Sequence, residues 1–139
     1  MTQNAHRFEL IETMRADSQG QIPLLGGHLQ RLQASAQSLG FSWPGPVAVE
    51  QAIKAALTNV TTLTGSTRVR LLMNPDGQIQ LTTAPLPVLQ AQPLVALASL
   101  TIDSRESLLQ HKTTERPWYD PTTQWLTEHV DFFDLIFLN

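Results

Sequence analysis

The sequence predicts an α+β fold in two parts: a small N-terminal domain over residues 1–103, with an antiparallel sheet and two helices, then the start of a second, α/β domain over residues 104–139. Three observations predict it. Residues 8–15 repeat at the two-residue period of a strand, with Phe8, Leu10 and Met14 on one face. Two later stretches change to the helical period and are separated by a connector containing Pro44 and Pro46. Pro75-Asp76-Gly77 then joins two further strand-like runs, because that tripeptide presets the dihedrals of a tight turn.

In chain order, residues 8–15 form the first strand. Glu12 falls on its apolar face, where an acid either sits at a strand end in solvent or lines a site; solvent is the expectation. Residues 16–21 carry turn chemistry, since Asp17 and Ser18 can bond back to the backbone and Gly20 accepts positive φ. Residues 22–25 are expected to return as a strand and close a hairpin. Leu25, Leu29, Leu32, Ala36 and Leu39 then make one helical stripe, ended by Gly40 as a left-handed cap. His28 lies near that stripe, as a partly buried packing residue. Arg31 lies roughly 120° from its centre, which suits either a solvated helix cation or one reaching the edge of a packed face. Val49, Ile53, Ala56, Leu57 and Val60 build the second helix, which the Thr and Gly of residues 61–66 end. In the hairpin of residues 68–74 and 78–84, Val69, Leu71 and Met73 face the core. Arg68 and Arg70 share the other face with Leu72; they are either the wet face of a sheet or ligands for a carboxylate or phosphate.

Residues 85–93 are proline-rich and extended. Residues 94–102 are almost continuously apolar, which predicts a central strand buried on both faces. A loop over residues 103–109 leads to His111-Lys112-Thr113-Thr114-Glu115-Arg116-Pro117-Trp118-Tyr119-Asp120, a run dense in cations, hydroxyls, anions and aromatics. Lys112 is one of two lysines, and is either a solvated loop cation or a chemical group. Asp120-Pro121 reads as a helix start with Asp as cap and Pro at the first position; Trp125, Leu126, His129 and Val130 give its buried side. Residues 133–138 form a last strand that reaches Asn139 with no turn, cap or polar tail, so the second domain is expected to be incomplete.

A formal charge of -3 with no basic stripe argues against a nucleic-acid protein. The absence of cysteine excludes disulfides and thiolate metal sites, and is compatible with a cytoplasmic location. No apolar run is long enough to cross a bilayer as a helix, and the first residues lack a signal-peptide pattern.

Five segments in order carry a resemblance. They are Phe8-Glu-Leu-Ile-Glu-Thr-Met-Arg15; Leu24-Leu-Gly-Gly-His-Leu-Gln-Arg-Leu32 with Ser35-Ala36; Arg68-Val-Arg-Leu-Leu72; the run from His111 to Asp120; and Asp134-Leu-Ile-Phe-Leu-Asn139. Together they resemble the class IV aminotransferases, the fold-type IV enzymes that use pyridoxal 5′-phosphate. The resemblance implies that Lys112 carries the cofactor covalently and serves in catalysis, and that Arg31 contacts the cofactor phosphate, for which a guanidinium fork is well suited. It also implies that Arg70, Thr113 and Tyr119 line the substrate pocket, that no metal is needed, and that the enzyme is a homodimer acting on a small molecule. Within the family the likeness is strongest to the lyase branch, which yields 4-aminobenzoate and pyruvate from aminodeoxychorismate in folate synthesis. A branched-chain or D-amino-acid transaminase is the alternative reaction. The family continues beyond the position of Asn139 with an acid for the pyridine nitrogen and a phosphate-binding helix start. A further alternative is therefore a catalytically incomplete domain that self-associates through exposed strand edges.

Overall fold

The computed structural model describes residues 7–60 and 65–139. They divide into two compact units: the described residues up to Leu86 together with His111–Thr114, and Pro87–Gln110 together with Glu115–Asn139. The expected boundary after residue 103 falls inside the second unit. The strand that precedes it pairs with the last strand of the chain, not with the N-terminal sheet.

The first unit is a three-stranded antiparallel sheet in the order β1 (Leu10–Ala16), β2 (Thr67–Met73), β3 (Ile79–Pro85), with α1 (Leu25–Leu39) packed on β1 and α2 (Pro46–Thr58) on β3. Strand alternation puts Leu10, Glu12 and Met14 of β1 opposite Met73, Leu71 and Val69 of β2, and all six are buried. Leu29, Leu32 and Ala36 of α1 and Val49, Ile53 and Leu57 of α2 complete the core. Gly40 ends α1 at φ 71°, a left-handed conformation that glycine enters without steric penalty. Gly77 closes the β2–β3 turn at φ 81°, and a Cβ there would lie 2.7 Å from the Ser42 carbonyl oxygen. The close approach matches a hydrogen bond from the Ser42 N–H to the Pro75 carbonyl, 2.9 Å, which ties the inter-helix connector to the turn.

The hairpin expected over residues 8–25 does not form. Asp17 Oδ1 accepts from the N–H groups of Gln19 and Gln21, making the predicted turn, but the chain then enters α1 without a second strand. Pro23 lacks a ladder donor, and β1 finds its partner some fifty residues on, in β2. The expected stop of the second helix lies partly outside the described residues; α2 ends at Thr58.

The second unit is a β–α–β arrangement: β4 (Leu94–Thr101), a 3-10 turn at Ser107–Gln110, α3 (Asp120–Glu128) and β5 (Phe132–Leu138), with β4 and β5 parallel. β4 is not the buried central strand that its apolar run predicts. Leu94, Val95, Leu97 and Leu100 of β4 and Phe133, Ile136 and Leu138 of β5 are exposed, because among the described residues no layer covers both faces of this pair. Pro121 occupies the first turn of α3 as predicted, but the cap position is Tyr119, and Asp120 is the first helical residue. Trp125 and Leu126 are half-buried as expected, whereas Val130 is 82 % exposed and His129 stacks on Trp125 with ring centroids 4.0 Å apart. The buried member of α3 is Thr122.

Candidate functional site

The site is built along the edge of β1 that faces away from β2. There the segment His111–Thr114 is fastened as a short antiparallel addition. The Ile11 N–H donates to the Lys112 carbonyl at 2.8 Å, the Thr114 N–H donates to the Glu9 carbonyl at 2.9 Å, and the Glu9 N–H donates to Thr114 Oγ1 at 2.9 Å. Thr113 stands opposite Leu10 and is 1 % exposed. His111 reaches α1, with its Nδ1 3.0 Å from Ser35 Oγ. His111 and Thr113 thus face α1. Strand alternation turns Lys112, between them, to the other side of the sheet, the side of Ile11, Thr13 and Arg70. Four hydrogen bonds, at His111, Lys112 and Thr114, hold the lysine's backbone against β1 and α1.

On the α1 side, Glu12 is 2 % exposed, which corrects the expectation of a solvated strand-end acid. Arg31 grips it as a fork: Nε donates to Oε1 at 2.8 Å and Nη2 to Oε2 at 2.5 Å. The His28 Nδ1–H donates to Oε2 at 2.7 Å. His28, Arg31 and Ser35 follow each other at three- and four-residue spacing, so one stripe of α1 serves both Glu12 and His111. The hydrogen bonds that Arg31 donates to Glu12 hold its pKa above the ordinary arginine value, against the opposing effect of partial burial. A buried carboxylate needs such partners: removing one from a buried pair destabilises by about 3–5 kcal/mol.

The predicted site residues therefore fall into four groups. Lys112 and Arg70 share one face of the sheet. Arg31 lies on the opposite face with Glu12 and His28, with 49 % of its side chain exposed. Thr113, expected as a pocket wall, instead points into the core beside Leu10 and serves to seat the segment. Tyr119 belongs to the second unit, where it meets Phe137 edge-on at 5.4 Å and lies under the Arg116 guanidinium at 5.6 Å. Glu12 is the functional candidate that sequence reasoning passed over. An acid on an apolar strand face, with an arginine at the edge of the next helix's stripe, was the visible signal. Among the described residues no group of three or more His, Asp or Glu is arranged to hold a metal, and no helix is long and apolar enough to cross a membrane.

The first unit is thus a helix-backed antiparallel sheet with a lysine-bearing segment fastened to its edge. Residues 9–139 match the family model described as amino-transferase class IV, and the chain belongs to that family. A Schizosaccharomyces pombe protein provisionally named an aminodeoxychorismate lyase is 34 % identical over 97 residues, which cover 70 % of this chain and 39 % of that protein. A Mesorhizobium loti structure, provisionally described as an amino-acid aminotransferase, is 32 % identical with a TM-score of 0.74, covering 86 % of this chain and 58 % of its own. The fold also matches a Legionella pneumophila structure provisionally described as a 4-amino-4-deoxychorismate lyase, with a TM-score of 0.74, 18 % identity, and coverage of 94 % of this chain and 52 % of its own. The chain thus spans between about two fifths and three fifths of the length of these relatives.

Proposed function

We propose that this chain carries the lysine and the phosphate-contacting arginine of a pyridoxal 5′-phosphate enzyme of the aminodeoxychorismate lyase type, forming 4-aminobenzoate and pyruvate for folate synthesis. The observation that carries the proposal is the fastening of Lys112 to β1 through the Ile11 N–H, on the sheet face shared with Arg70. The donor types suit the cofactor, a primary amine for its aldehyde and an exposed guanidinium for its phosphate, with the amine on the edge segment beside β1 and the guanidinium on α1, on the other side of that edge. When bound, the cofactor supplies the electron sink that makes a carbon-bound proton labile. Lys112 Nζ would hold the cofactor aldehyde and, once displaced by the substrate amine, would take the proton from the amine-bearing carbon and pass it to the departing enolpyruvyl group, which leaves as pyruvate. Arg31 binds the phosphate through its outer edge, and Arg70 orients a substrate carboxylate. A homodimer and a cytoplasmic setting complete the reading, and the similarity to the lyase-named fission-yeast protein supports it.

The test is direct. The chain mixed with pyridoxal phosphate gives the visible absorbance band of lysine-bound cofactor, and borohydride reduction fixes its mass on the peptide containing Lys112. A band that persists in Lys112→Ala sinks the assignment. No band in the intact chain favours a domain that does not bind cofactor by itself. Light scattering showing only monomer would contradict the homodimer. A second reaction, transamination of a small amino acid, is favoured by the 32 % identity to the aminotransferase-named structure. Release of 4-aminobenzoate without amino transfer to a 2-oxo acid separates the two.

A further inference from the structure

We infer that Glu12 is a positioning residue that holds the Arg31 guanidinium so that its Nη1–Nη2 edge is offered to the cofactor phosphate, with His28 steadying the carboxylate at Oε2 beside Nη2. The inference rests on the reading of Arg31 given under Proposed function.

A guanidinium has two edges that can each take an oxyanion with two parallel hydrogen bonds. Glu12 occupies the side edge, through Nε at 2.8 Å and Nη2 at 2.5 Å. Among the described residues Nη1 has no hydrogen-bond partner, and about half of the side chain is exposed, 49 %. The end edge is thus the one left for an anion. The anchor is the rigid partner. Glu12 is 2 % exposed, its backbone is set by the register with Leu71, and it cannot swing into water. Arginine otherwise samples many rotamers, so a fixed side edge fixes the direction of the end edge. His28, three residues before Arg31 on α1, donates to Oε2 at 2.7 Å and keeps the carboxylate from rotating away.

Two effects of Glu12 on a bound phosphate oppose each other. Its charge repels the anion, while its grip aims the donors. The carboxylate already receives three hydrogen bonds and lies behind the guanidinium, so aiming is the larger effect.

The experiment titrates the chain with pyridoxal phosphate and with pyridoxal, which lacks the phosphate, using wild type, Glu12→Gln, Arg31→Ala and the double variant. Glu12→Gln is expected to weaken pyridoxal phosphate by about tenfold, the scale seen when a partner that orients a ligand-binding group is lost, and to leave pyridoxal nearly unchanged. In the Arg31→Ala background the same substitution should have no further effect. Equal losses for both aldehydes would reduce Glu12 to a structural staple, tighter phosphate-dependent binding would make its charge the larger effect, and additive losses would detach it from Arg31; each overturns the inference. A wild-type chain without a Lys112 band sinks the cofactor reading alone. Inorganic phosphate, followed by the 15N shifts of the Arg31 guanidinium, then decides the inference. Binding that weakens in Glu12→Gln supports it, and binding unchanged or absent overturns it.

Discussion

The two units treat the same kind of sequence in opposite ways. In the first, β1 and β2 alternate, helices cover one face, and every buried apolar residue of the described chain except Ile102 lies there. In the second, β4 and β5 are more continuously apolar, yet Val95, Leu97, Phe133 and Ile136 face solvent. Apolar content does not bury a strand. A covering layer does, and α1 and α2 supply it for β1–β3 whereas α3 does not for both faces of β4–β5. The chemistry-bearing segment His111–Thr114 sides with the covered sheet, which explains how a lysine from a late loop can be held firmly.

Substitutions can sharpen or break this contrast. The largest effect is expected at Leu71, 1 % exposed at the centre of β2. Leu71→Ala should destabilise by about 2–5 kcal/mol in urea unfolding, as for other fully buried leucines; a loss below about 1 kcal/mol would mean that the first unit is not packed as described. Next comes Gly77→Ala, which forces a side chain into φ 81° and against the Ser42 carbonyl. It should lower stability by about 1–3 kcal/mol, and a neutral melt would show that the turn relaxes freely. Leu97→Ala, at a position 65 % exposed in the apolar second strand pair, should change unfolding by no more than about 0.5 kcal/mol. A loss like that at Leu71 would mean that the β4–β5 face is covered in solution. The smallest effect belongs to Asp103, whose carboxyl is held below its usual range by hydrogen bonds from Arg105. A lowered carboxyl contributes stability above its unfolded pKa and loses it as pH falls through the folded one. Both partners are exposed, so salt and water screen the contribution. Asp103→Asn should therefore leave the pH profile of unfolding unchanged at moderate salt, and a visible shift at acid pH would show the second unit to be more compact there.

Much of the first unit was legible because its signals are local. The stripe from Leu25 to Leu39, the Gly40 cap and the Pro75-Asp76-Gly77 turn each act within a few residues, and each stands where the pattern put it. The partner of β1 was not legible, since strand pairing is a contest between distant segments that local propensity does not decide. Residues 22–25 lost that contest to β2. The candidate site divides in the same way. Lys112 and Arg31 could be named from motif order. The burial of Glu12 and Thr113 could not, because it depends on α1 and the 111–114 segment closing over β1 from opposite ends of the chain.

By itself, then, the sequence determined the helices, the turns, the faces of the strands and the identity of the charged residues, all of which follow from backbone dihedrals and periodicity. Only the tertiary structure decided which charges meet. It set Glu12, Arg31 and His28 in one network behind β1 and put Lys112 on the Ile11 side of the sheet, because strand register assigns each side chain a side and only packing removes the water that would otherwise solvate it.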